Sequence, residues 1–129
     1  MLSKFWGALG IGTTVKTYSR DLMTEKINAN DHTVLVGPMN GIVTFNPALR
    51  SNTVVPTQNY APWAGAYGEW YATSGKSGVE PPAEVKALMD IYDKIKGATN
   101  VADVEKGALD IINIHKKYQW EIGFCRSAP

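Results

Sequence analysis

A single cysteine, Cys125, is all the chain holds in 129 residues. One thiol makes an internal disulfide impossible and excludes a multi-cysteine zinc site, which leaves a buried free thiol as the reading. Charge of one sign is missing too: 13 Lys and Arg stand against 12 Asp and Glu, for a net charge of +1, and the basic residues are dispersed. Without a basic patch or interleaved basic and aromatic residues nothing tracks a phosphate backbone, so no nucleic-acid partner is expected. No apolar run approaches the roughly 18 to 20 residues of a membrane-spanning helix. The start, MLSKFWGALGIG, has neither the length of a signal-peptide core nor a small-x-small cleavage site. Internal repeats and low-complexity segments are absent.

Catalytic constellations are thin. His32 and His115 lie far apart in sequence, so no pair of imidazoles shares a helical face in the manner of a metalloprotease, and no metal is expected. No serine stands in a Gly-x-Ser-x-Gly elbow. The one phosphate-like string is Gly75-Lys76-Ser77-Gly78, and its spacing fails. A P-loop needs a glycine where Trp70 stands, and a helix directly behind the lysine, where this chain runs into Pro81 and Pro82. No enzyme activity and no cofactor are therefore expected.

What is present is periodic. Leu2, Phe5, Trp6 and Leu9 fall at helical spacing, with Gly10 and Gly12 behind them, and read as a helix cut off at its beginning. A β-rich stretch over 13–18, a helix over 20–29 with Leu22, Met23 and Ile27 on one face, and a buried-type strand over 33–36 compose a β-α-β unit. In such units ligands gather in the loops at the strand ends, which points to Gly37–Gly41. Residues 42–59 lack periodicity and read as an irregular surface excursion. Trp63, Tyr67, Trp70 and Tyr71 form an aromatic stripe on a helix with Pro62 in its first turn, and Gly65 and Gly68 leave its other side open to a neighbouring backbone. Helices over 82–96 and 101–118 follow, the first ended by Gly97 and the second capped by Asn100 with Asp103. The alternation of Trp120, Ile122 and Phe124 predicts a strand over 120–125.

The series from Glu69 to Phe124 has a Trp-Tyr helix, a Gly-Lys-x-Gly turn, Glu-Pro-Pro, an amphipathic helix, an acidic linker, a second helix and Trp-x-Ile-Gly. In order and spacing it resembles the C-terminal part of family 5 extracellular solute-binding proteins, the peptide, nickel and oligosaccharide receptors of ABC importers. The segment FWGALGIGTTVKTYSRDLM is similar to that family's helix, strand and Arg-x-Leu helix, so the likeness covers nearly the whole chain.

The resemblance implies an α/β fold, a mixed sheet with covering helices belonging to the C-terminal lobe of a two-lobe periplasmic binding protein. Family members are several times longer. Residues 1–129 would then form a single partial domain, without the signal peptide and the N-terminal lobe, placed in the periplasm or outside the cell. The implied partners are a small-molecule or peptide solute, held between two lobes, and a membrane permease; self-association is expected through the face where missing chain would pack. The implied ligand contacts are Met39, Asn40, Asn46 and Arg50. Residues 32–68 contain no Asp or Glu, whereas peptide-binding relatives often place an aspartate there against the peptide's α-amino group. A buried ammonium without a carboxylate is costly, which weighs toward sugars or neutral solutes unless the other lobe supplies the acid. The alternative is a small stand-alone α/β interaction module without a transport role.

Overall fold

A computed structural model of the chain describes residues 2–37 and 51–122. Among the described residues its elements are six helices: α1 (Leu2–Ala8), α2 (Arg20–Asn28), α3 (Ser51–Val54), α4 (Gly65–Ala72), α5 (Ala83–Lys96) and α6 (Val101–Tyr118).

The centre of the fold is the α5–α6 hairpin. Pro82 presets the entry to α5 with φ −65°, Glu84 sits in its first turn and Lys94 and Lys96 in its last, each sign matched to the helix dipole. Val85, Leu88, Met89 and Ile95 recur on the inner face and are buried. Asn100 then caps α6 by accepting from the Asp103 amide at 2.8 Å. Gly107 marks the crossing: a Cβ there would lie 2.5 Å from Cγ1 of Ile95, so the absent side chain is what lets the helices close. Val54 and Val55 complete the core with Ile111, and Trp63, Tyr67, Tyr71 and Trp120 pack around it. Full burial of Leu88 and Ile111 contributes roughly 1.5–3 kcal/mol each relative to exposure.

Around this pair the chain packs by backbone contact. The carbonyl of Gln58 reaches so close to Gly68 that a Cβ would stand 2.0 Å from its oxygen, and Asn59 does the same at Gly65. The open side expected at these two glycines is therefore filled by the backbone of residues 58–59. The aromatic stripe is displaced in one respect: α4 begins at Gly65, so Trp63 lies in the turn before it. α1 ends as expected, with Gly10 in the left-handed region at φ 80°.

The expected mixed sheet is not formed, and the α/β fold class is corrected to a helical one among the described residues. Residues 13–18 and 33–36 contain no strand, because among the described residues no neighbouring segment pairs with them. Val15 is 71% exposed, Val34 59% and Val36 60%, so the apolar alternation covers nothing. α2 does form between them but buries no residue fully. The expected β-α-β unit is thus a helix between two segments that pair with nothing among the described residues. Residues 120 and 121 follow a left-handed Gln119 and bend instead of extending, residue 122 is in no strand, and 123–125 lie outside the described residues.

Candidate functional site

The described residues most suggestive of a site gather at the C-terminal end of α6. Gln119 takes the left-handed conformation (φ 54°, ψ 39°), its amide donating to the His115 carbonyl. This reversal brings Trp120 back beside Tyr118, and their rings stack at 4.9 Å with 7° between planes. Trp120 also stacks on Trp63 at 4.9 Å and 10°, which makes a three-ring column. The imidazole of His115 meets both indoles edge-on, 5.5 Å from Trp63 and 5.6 Å from Trp120.

Both ring N–H groups facing α3 serve its carbonyls. Trp63 Nε1 donates to Thr53 O at 3.0 Å, and His115 Nε2 donates to Val54 O at 2.6 Å. A helix end leaves its last carbonyls without intrahelical donors, and here two aromatic side chains supply them. Because a carbonyl only accepts, Nε2 of His115 carries the proton. Burial holds the His115 pKa below the usual imidazole range, the Val54 bond pulling weakly the other way. Glu121, next to Trp120, is pushed up to about 7 by burial. On the other side of Trp63, His32 Nε2 donates to Pro62 O at 2.8 Å.

A second cluster joins α4 to α5. The Tyr71 hydroxyl donates to Asp93 Oδ1, and Lys96 Nζ lies 2.8 Å from the same oxygen and 3.3 Å from the hydroxyl. Lys96 and then Tyr71 hold the Asp93 carboxyl below its ordinary range, while burial first and Asp93 second raise the Tyr71 phenol. A phenol kept protonated beside an ionised carboxylate is a poor base. The arrangement is a clamp between helices.

The Gly-Lys-Ser-Gly turn is settled by its backbone. Gly75 and Gly78 have φ 82° and 86°, and a Cβ on Gly78 would lie 2.4 Å from Ala66 O. Ser77 Oγ donates to Glu69 Oε1 at 2.6 Å, and Lys76 is exposed. The glycines serve turn geometry, and the stretch is a surface connector from α4 to α5.

Met39, Asn40, Asn46 and Arg50, the sequence-based ligand contacts, lie outside the described residues. The stacking of Tyr118 and Trp120 was not readable in the sequence, where Trp120 counts as the start of a strand; only the aromatic density around Trp63 signals it. Among the described residues no group of three or more His, Cys, Asp or Glu could hold a metal ion, and no helix is long and apolar enough to cross a membrane. No family model matches the chain, and no curated protein matches it.

Proposed function

We propose that the chain is part of the substrate-binding component of an ABC-type importer, which captures a small solute between two lobes for delivery to a membrane permease, in the periplasm or outside the cell. One observation supports this reading: the ordered motif series falls on the punctuation of one folded unit. Trp70 and Tyr71 close α4, the glycine turn and Glu80-Pro81-Pro82 lead into α5, and Asn100 opens α6. Ligand contacts are assigned to Met39, Asn40, Asn46 and Arg50, where amide and guanidinium groups suit hydroxyl or carbonyl oxygens. No catalytic role is assigned to any residue.

The second reading is a stand-alone interaction module; it requires a covered apolar surface, and the apolar side chains at Phe5, Leu9, Val15, Val34 and Val36, exposed among the described residues, weigh against it. The two separate by titration. Maltotriose and a defined tripeptide pool are titrated into the full two-lobe protein that this reading implies, because one lobe alone is expected to bind weakly or not at all, and binding is followed by heat and by the unfolding midpoint. Saturable binding of one class with a raised midpoint is expected, since a ligand at 100 times its Kd adds about 2.7 kcal/mol to the native state. Flat titrations with both, together with no retention on detergent-solubilised membranes that contain an ABC permease, overturn the transport reading.

A further inference from the structure

We propose that His115 is an acid-sensitive latch: neutral, it fastens the end of α6 and the Trp120 segment to α3, and on taking a second proton it releases them.

The geometry gives His115 three attachments in a part-buried position. Its Nε2–H closes the Val54 carbonyl at 2.6 Å, and its ring edges meet Trp63 and Trp120. Trp120 in turn carries Tyr118, so one imidazole connects α3, the turn before α4, the end of α6 and the segment after it. Protonation keeps the Nε2 donor. What changes is that a full charge must sit beside the stacked Trp63 and Trp120 indoles and against α3, whose Val54 belongs to the core.

Among the described residues, no element packed against the ring offers a carboxylate that stays ionised at acid pH. α3 and residues 61–64 contain no charged side chain. On α6 the neighbouring charges, Asp110, Lys116 and Lys117, are exposed. In the segment after α6 the sole acid is Glu121, which burial keeps largely protonated below about pH 7. The sign follows. With the folded pKa below the unfolded one, the latch contributes fully above the ordinary histidine value of 6.5, and its contribution is lost as pH falls from there through the folded value.

The test combines two readouts on the whole chain. Proton NMR follows the His115 C2–H signal against pH, and hydrogen exchange of amides 115–122 is compared at about pH 7 and about pH 5 after correction for intrinsic rates. The expected results are a His115 midpoint below the ordinary value, and loss of protection in 115–122 at the acid pH. His115→Gln keeps an N–H donor for Val54 but cannot titrate, so its protection should be the same at both pH values. His32→Gln should leave the transition in place, since that ring sits on Pro62. A His115 midpoint at or above the ordinary value overturns the proposal even if the Gln variant fails to fold. So does an acid loss of protection that persists in His115→Gln.

Discussion

Gly68→Ala should destabilise this protein although it adds one methyl group to a helix. The methyl would stand 2.0 Å from the Gln58 oxygen, 2.6 Å from its carbonyl carbon and 2.8 Å from its nitrogen. All three are backbone atoms, so no side chain can rotate away. Reaching ordinary contact, which begins at 3.4 Å, requires a retreat of about 1.4 Å. That movement pulls on the turn in which Ala61 N donates to Gln58 O at 3.1 Å. Overpacking of this kind costs about 1–3 kcal/mol, and a rigid backbone neighbour places it at the upper end. Alanine gains up to about 1 kcal/mol over glycine from helix propensity. The net loss is therefore about 2 kcal/mol, which lowers the thermal midpoint by roughly 10 °C for a chain of this size.

The control is Gly7→Ala in α1, where a Cβ would meet nothing within 4 Å. Propensity acts there alone, and the variant should be as stable as the wild type or slightly more so. Urea unfolding followed by tryptophan fluorescence compares the three proteins, with equal slopes required before midpoints are converted to free energies. A Gly68→Ala midpoint equal to or above that of the wild type would refute the close approach of residues 58–59 to α4.

Lys76→Ala should change stability by less than about 0.5 kcal/mol and leave ATP binding absent, since Lys76 is exposed in a connector; chemical denaturation and a nucleotide titration check both. Asn100→Ala removes the α6 cap and should cost about 1 kcal/mol, read from the same unfolding curves. Glu121→Gln should remove a pH dependence: burial raises the folded carboxyl from 4.5 to about 7, so its stabilising contribution is complete below the lower value and is lost as pH rises through the upper one. Unfolding midpoints of wild type and variant should diverge across that window, and parallel curves would contradict the burial of Glu121.

The helices were legible because their signals are local. Asn100 with Asp103, Pro82 before Ala83 and Gly97 behind Lys96 each satisfy backbone groups within a few residues, and α5 and α6 run between those marks. Gly65 and Gly68 were legible as sites of close approach, though not the identity of the neighbour. The strands were not, for a reason of the same kind. Alternation at Val34 and Val36 reports that a segment would bury one face if a partner existed, and the partner is a non-local fact. Residues 33–36 share that pattern with a true edge strand, yet among the described residues nothing pairs with them. The Trp120 column was hidden because it depends on Gln119 adopting a left-handed conformation, which a glutamine does not advertise.

The aromatic residues bear on where a solute would be held. Tryptophan and tyrosine suit sugar faces, and this chain has 4 Trp and 6 Tyr. Yet Trp63 already gives one ring face to Trp120 and its N–H to Thr53, and Tyr71 gives its hydroxyl to Asp93. Trp70 lies beneath Lys86 at 5.4 Å and against Gly75. A ring engaged in this way must break an existing contact to stack on a ligand, so each new contact is offset by one lost. Under the proposed transport function, recognition therefore rests on polar groups such as Asn40, Asn46 and Arg50 rather than on these rings. Alanine at Trp63 should then act first on stability, through the column and the uncapped Thr53 carbonyl. Alanine at Asn40 or Arg50 should act on affinity, by about 1–3 kcal/mol where a buried partner loses its hydrogen bond. Calorimetric titration with the solute that the maltotriose and tripeptide experiments select, run beside an unfolding curve for each variant, separates the two effects. Loss of affinity at Trp63 with unchanged stability would reverse this division.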